Sequence, residues 1–166
     1  MDFRATLRAV AQAFASKGMD FALIGGVALA ARGVLRATGD IDMLVDGERA
    51  ADVDSVMRGL GYQTLHRSPD VAHYASAGCI NVDVLYARRA PSRGMLARAE
   101  RCALLGADAV RVVQPEDLIG LKVQASSNDP RRLTLDMADI ERLMISAPGL
   151  DLDRVREYFR IFDRET

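Results

Sequence analysis

The sequence predicts an α/β fold, a small mixed β-sheet with helices packed on it. Short apolar runs bounded by glycine alternate with helical periodicity in the first third of the chain. The middle of the chain changes to a period of two, and helical patterns alone follow Pro115. At 166 residues the chain is long enough to bury one core. We expect residues 1–114 to form the core part of the fold and residues 115–166 to form a helical extension. The two parts should pack together as one compact unit.

Helix-capping residues and glycines delimit the first predicted helices and strands. Asp2 can cap a first helix that ends at Gly18, because glycine readily adopts the left-handed stop. The apolar run Phe21–Ile24 predicts a strand that ends at a Gly-Gly turn, and a short helix at residues 27–32 follows. A strand at 41–45 and a helix at 52–60 come next.

Alternation predicts the remaining strands. They are expected at residues 62–66, 71–75 and 80–86, then, after a polar connection near residues 91–94, at 109–113. Pro115 suits the first position of a helix that reaches Ala125. After a loop at 126–130, a helix has one apolar face, and a last helix spans 151–162. That face consists of Leu133, Met137, Ile140 and Met144.

Composition excludes several function classes. The 22 basic and 23 acidic residues give a net charge of -1, which argues against nonspecific binding to nucleic acid or to an anionic membrane. Cys79 and Cys102 lie far apart in no metal-ligand pattern, so we interpret them as reduced thiols. No apolar run has the length of a signal peptide core or a membrane span. We therefore expect a cytoplasmic protein with no membrane partner.

Asp40 and Asp42 are the first candidate site residues. They are two residues apart on a predicted strand, so their side chains point to the same face, about 6.6 Å apart along the backbone. Like charges at that distance call for a cation, and oxygen-only ligands suit Mg²⁺. An Asp-rich turn entering a strand is the alternative interpretation.

Asp83 is the second candidate, a carboxylate in the middle of an apolar strand. A buried, unpaired carboxylate costs several kcal/mol, so Asp83 needs solvent, a hydrogen-bonding partner or a metal. An edge strand with one wet face is the alternative. Gly25 and Gly26, which precede a helix, let the backbone approach a phosphate closely.

Several further residues have two interpretations each. Lys122 could contact phosphate or extend to solvent from the edge of the core. Arg36 could contact phosphate or pair with a surface acid, and Thr38 lies in the same connection. Asp136 and Asp139 are minor candidates, since an ion pair within their helix accounts for Asp136. His66 and His73 lack the partners of a catalytic triad or metal cluster, and we assign them no catalytic role.

Taken in order, the motifs resemble those of the DNA polymerase β-like nucleotidyltransferase superfamily. Its signature is a Gly-Gly or Gly-Ser turn, an Asp-x-Asp a short helix later and a third Asp on a neighbouring strand. The matching stretches here are Ile24-Gly25-Gly26, Arg36-x-Thr38-x-Asp40-Ile41-Asp42 and Val82-Asp83-Val84. Residues 21–45 are most similar to a small bacterial group that includes AbiEii-type toxins and aminoglycoside or lincosamide nucleotidyltransferases. Stretches within 115–140 also resemble the AbiEii-like pattern. One departure is Val27, where many relatives have Ser.

The resemblance implies a nucleotidyltransferase fold and activity. It implies that Asp40, Asp42 and Asp83 are catalytic and hold Mg²⁺ or Mn²⁺. A nucleoside triphosphate would bind at Gly25, Gly26, Arg36, Thr38 and Lys122. The acceptor would be a hydroxyl of an RNA, a protein or a small molecule, and the chain could belong to a toxin–antitoxin pair with a small cognate protein. An inactive nucleotide- or partner-binding module of the same fold is the alternative.

Overall fold

The computed structural model describes residues 2–104 and 107–162, which form seven α-helices and one seven-stranded sheet. The helices are α1 (Phe3–Ser16), α2 (Gly25–Ala31), α3 (Ala50–Gly59), α4 (Ala90–Arg98), α5 (Pro115–Asn128), α6 (Leu133–Ser146) and α7 (Leu152–Phe162). The strands are β1 (Phe21–Ile24), β2 (Asp40–Asp46), β3 (Gln63–Arg67), β4 (Val71–Ala75), β5 (Asn81–Ala87), β6 (Glu100–Leu104) and β7 (Ala107–Val112). The predicted α/β class is confirmed.

The sheet is mixed and has the order β3-β4-β5-β2-β1-β7-β6. The pairs β2–β5 and β1–β7 are parallel, and the other neighbours are antiparallel. All four residues of β1 are buried, as expected for a central strand covered on both faces. The strands that carry the candidate carboxylates, β2 and β5, therefore lie side by side at the centre of the sheet.

Two elements differ from the sequence-based expectation. The polar connection predicted near residues 91–94 is the helix α4, with Pro91 in its first turn. Met95 is the one side chain of α4 that is fully buried, so no apolar stripe signals the helix. The strand β6 was not predicted, because three of its five residues are exposed and it begins with the two charged residues Glu100 and Arg101.

The predicted apolar face of α6 is wrong. Leu133, Met137 and Met144 are exposed, whereas Asp136 and Asp139 are fully buried beside Ile140 and Leu143. The two carboxylates face inward because they surround the ammonium group of Lys122, which projects from the buried helix α5. An ion pair in the interior thus reverses the orientation that hydrophobicity alone indicates.

The helices after Pro115 pack mainly on one another, α5 contacting both α6 and α7. The division into a core at 1–114 and an extension at 115–166 stays a prediction, and its last four residues, 163–166, lie outside the described part. Among the described helices, none is both long and apolar enough to cross a membrane.

Candidate active site

A row of polar side chains crosses the sheet over the candidate site. In the strand registers, Asp42 on β2 is opposite Asp83 on β5, and Asp83 is opposite His73 on β4. On the other side of Asp42, its register partner is Ile24, the last residue of β1 before the glycine turn. Residues directly opposite each other share a face of the sheet. The two carboxylates therefore lie on one face, next to the start of α2.

Asp42 has the most perturbed electrostatics of the candidate residues. Burial raises its pKa from 3.8 to about 6, and the negative charges of Asp83 and Asp40 add to the increase. The Gly26 backbone N–H, which donates a hydrogen bond to Asp42, and the more distant Lys122 oppose the increase. A carboxylate crowded by two others next to a cleft is typical of a site that receives a cation or a proton.

The glycine turn is shaped around this carboxylate. Gly25 has φ +65°, and a Cβ at this position would overlap the Asp42 carboxyl group. A Cβ on Gly26 would lie 2.7 Å from the Cβ of Thr38, so the two backbones approach closely there. The geometry therefore requires glycine at both positions. Gly25 has a left-handed conformation and no space for a side chain beside Asp42, and Gly26 has no space for one beside Thr38.

We expect Gly26→Ala to destabilise the fold by about 1–3 kcal/mol, the typical effect of forcing an extra methyl group into a filled space. Replacing Thr38 with Gly as well should recover at least half of that loss, because it removes the atom in contact. Chemical denaturation of the single and double variants measures this coupling. Gly39→Ala is the matched control, since nothing lies within 4 Å of a Cβ there. Equal destabilisation with and without Thr38 would contradict the close approach.

A cleft of about 580 Å³ opens over Asp42 and the glycine turn. Its walls come from β1, β2, β5, the start of α4, and α5. Of the predicted site residues, those that line it are Gly25, Gly26, Arg36, Asp42 and Lys122. Asp40, Thr38 and Asp83 are not among its lining residues in the described part of the chain. The Thr38 hydroxyl instead donates a hydrogen bond to the Asp40 backbone carbonyl, at 3.2 Å.

Lys122 and Arg36 belong to a buried ionic network at one wall of the cleft. The Lys122 Nζ lies 3.1 Å from Asp136 Oδ1 and 2.8 Å from Asp139 Oδ2. Arg36 contacts the same Asp139 oxygen at 2.6 Å, and Arg132 contacts Asp136 at 3.2 Å. The partner of Arg36 is thus a buried acid and not a surface one. Any charge that these cations offer to a phosphate is shared with two carboxylates.

His73, to which the sequence analysis assigns no catalytic role, contacts the candidate carboxylate Asp83. Its Nδ1 lies 2.7 Å from Asp83 Oδ1, and its ring lies 5.6 Å from that of His66 on β3. In the arrangement in which the carboxylate accepts this hydrogen bond, His73 Nδ1 carries the hydrogen. The contact depends on the register between β4 and β5, which the sequence does not specify.

The chemistry of the carboxylates fits a divalent cation, although they are not a preformed cluster. Asp40, Asp42 and Asp83 supply only oxygen, which suits Mg²⁺, and the raised pKa of Asp42 reflects its burial first and the neighbouring charges of Asp83 and Asp40 second. Among residues 2–104 and 107–162, no group of three or more His, Cys, Asp or Glu side chains is arranged so that it could hold a metal ion.

The match to a family decides the class of this protein. A family model described as "Uncharacterised nucleotidyltransferase" matches residues 1–160. The chain belongs to this family. The predicted superfamily and the prediction of a nucleotidyltransferase are therefore confirmed. No protein with a curated description matches the chain.

Solved structures with the same fold include nucleotidyltransferases that act on antibiotics. The antibiotic-resistance factor ANT(2'')-Ia has a TM-score of 0.72 and 20% identity, covering 96% of this chain and 90% of its own. The lincosamide adenylyltransferase LnuA, bound to lincomycin, has a TM-score of 0.59 and 13% identity, covering 86% and 97%. An antigenic nucleotidyltransferase-like protein from Paracoccidioides brasiliensis has a TM-score of 0.60 and 17% identity, covering 94% and 85%. At these identities the similarity concerns the fold.

Proposed function

We propose that this nucleotidyltransferase moves a nucleoside monophosphate from a nucleoside triphosphate to a hydroxyl group of an acceptor. The observation that carries the proposal is Asp42, crowded by Asp83 and Asp40 and lying at the base of a cleft against a glycine turn. The family and the antibiotic-modifying neighbours of the same fold support this reaction class.

The triphosphate would lie against the glycine turn. Gly25 and Gly26 line the cleft without side chains, so phosphate oxygens could approach the backbone closely where many relatives use a serine hydroxyl. Arg36 and Lys122, on the neighbouring wall, would add positive charge, and Thr38 would hold the turn in place. Asp40, Asp42 and Asp83 would hold Mg²⁺ or Mn²⁺, which supplies positive charge beside the phosphates.

The transfer step is a displacement at the α-phosphorus. The acceptor oxygen forms a new bond to phosphorus while the bond to the pyrophosphate leaving group breaks. The hydroxyl proton passes to a base, a role that we propose for Asp83, and His73 donates a hydrogen bond that orients this carboxylate. Positioning of the two substrates is expected to provide much of the rate enhancement.

Labelled triphosphates test this proposal. We expect α-³²P-labelled triphosphate, incubated with the protein, Mg²⁺ or Mn²⁺ and a cell extract, to label an acceptor and to release pyrophosphate. Label in the γ-position should appear only in pyrophosphate, which separates nucleotidyl from phosphoryl transfer. Binding of triphosphate without transfer of either label, across RNA, protein and small-molecule fractions, would instead support an inactive binding module.

The biological role of this reaction stays a prediction. A toxin–antitoxin pair with a small cognate protein, and a cytoplasmic location, are compatible with this chemistry. A small gene adjacent to the coding sequence, whose product binds this chain and suppresses transfer, would support the paired role.

A further inference from the structure

The basic side chains that line the cleft divide into two groups. Arg36, Lys122 and Arg132 each form an ion pair with the buried carboxylate of Asp136 or Asp139. Two further arginines, Arg88 and Arg89, line the cleft without a carboxylate partner among the described residues. Among the basic side chains of the cleft lining, the positive charge that no ion pair of the described residues engages is therefore at this pair.

Arg88 is held in a fixed orientation by neutral groups. Its Nε donates a hydrogen bond to the Pro69 carbonyl, at 2.5 Å, and its guanidinium lies 5.6 Å from the centre of the Tyr86 ring. Its aliphatic stem packs so closely on Gly47 that a Cβ there would overlap it. Asp70, the residue after Pro69, also lines the cleft, but among the described contacts Arg88 forms no ion pair with it. A cation held by neutral contacts needs little further ordering to bind an anion.

The arginine pair lies at the opposite end of the cleft from the glycine turn. Gly25 follows Ile24, which pairs with Asp42 near the beginning of β2, whereas Arg88 and Arg89 follow the end of β5. Arg88 is five residues beyond Asp83, or about 16 Å of extended backbone. A triphosphate seated at the glycine turn therefore leaves the arginine end to the second substrate.

We propose that Arg88 and Arg89 bind a phosphate group on the acceptor, and that the acceptor is a small phosphorylated alcohol. The proposal rests on the proposed function, because it assigns the second substrate of the same site. A polycationic acceptor would meet like charge at this end of the cleft. The net charge of -1 lacks the excess of positive charge that attracts a nucleic acid backbone, which favours a small molecule over an RNA end.

Phosphate binding to the full chain tests the assignment. The protein is saturated with Mg²⁺ and the α,β-methylene analogue of the triphosphate that labels best, then titrated with ribose 5-phosphate, inorganic phosphate, ribose or spermidine in a calorimeter. We expect both phosphates to bind at least tenfold more tightly than ribose or spermidine. Arg88→Gln and Arg89→Gln should each weaken phosphate binding at least fivefold and change analogue binding less than twofold. Arg93→Gln, an α4 residue outside the cleft lining that pairs with Glu48, is the matched control and should bind like the parent.

Three results would overturn the assignment. One is phosphate binding that is unchanged in both arginine variants, and another is tighter binding of spermidine than of ribose 5-phosphate. The third is an oligoribonucleotide that binds tenfold more tightly than ribose 5-phosphate, which would point to an RNA end. Failure of the analogue to bind contradicts the proposed function instead, and the titration of the free protein then still tests whether phosphate binding depends on Arg88 and Arg89.

Discussion

Replacing Asp42 with Asn is expected to lower nucleotidyl transfer at least a thousandfold, equivalent to about 4 kcal/mol of barrier. Asp42 is the candidate carboxylate that lines the cleft, and it receives a hydrogen bond from the glycine turn. Mg²⁺ or Mn²⁺ should raise the melting temperature of the parent, since a ligand stabilises the state that binds it, and this increase should vanish in the variant. Asp46→Asn, on the same strand, is the control and should keep both properties.

The same variant should be more stable than the parent in chelator at neutral pH. Because the folded-state pKa of Asp42 is raised to about 6, its favourable contribution is full below pH 3.8 and is lost as the pH rises through 6. Asparagine has no charge to bury. The gain in unfolding free energy should therefore be smaller at pH 4.5 than above pH 7, where it is on the order of 1–3 kcal/mol.

Urea denaturation with EDTA at pH 4.5, 6 and 7.5 measures this difference. A variant that is less stable than the parent at pH 7.5, or a difference that does not change with pH, would show that the Asp42 carboxylate is not under electrostatic strain in the folded protein. A loss of transfer activity without the pH-dependent gain in stability would leave a catalytic role for Asp42. It would contradict the raised pKa that burial and the charges of Asp83 and Asp40 give this carboxyl group.

The central part of the site follows from local sequence rules. An apolar run that ends at Gly25 and Gly26 is a strand and a turn by propensity alone, and a spacing of two brings Asp40 and Asp42 to one face. These two features need only the period of a strand and the conformational freedom of glycine, so a single sequence suffices to predict them. The placement of Asp83 opposite Asp42 depends in addition on the adjacency and the register of β2 and β5.

Other features depend on contacts between distant parts of the chain. The inward face of α6 is ionic because Lys122 on α5 requires carboxylate partners, and hydrophobic periodicity cannot anticipate an interior ion pair. The contact between His73 and Asp83 requires the register of β4 on β5, and a slip of one residue would remove it. The fixed position of Arg88 requires Gly47 and Pro69 to meet it from two separate segments.

Asp83→Asn is expected to separate an active transferase from a binding module of the same fold. Asparagine keeps the oxygen that accepts the hydrogen bond from His73, so the strand pairing should persist. Loss of the negative charge relieves Asp42, whose pKa Asp83 helps to raise, so the metal-free variant should be at least as stable as the parent. Transfer should nevertheless fall at least about a hundredfold, or ~2.7 kcal/mol of barrier, because the proposed base is gone.

The kcat of Asp83→Asn and its Kd for triphosphate test this expectation. We expect kcat to fall by the stated factor while the Kd for triphosphate with Mg²⁺ changes less than threefold, since Asp42 and the glycine turn remain. His73→Asn, which can still donate a hydrogen bond toward Asp83, should lose much less activity than Asp83→Asn, whereas His73→Ala should lose more than His73→Asn. Rates for Asp83→Asn within tenfold of the parent would mean that Asp83 lies on a solvent-exposed strand face and has no catalytic role. A parallel loss of triphosphate binding and stability would make its role structural.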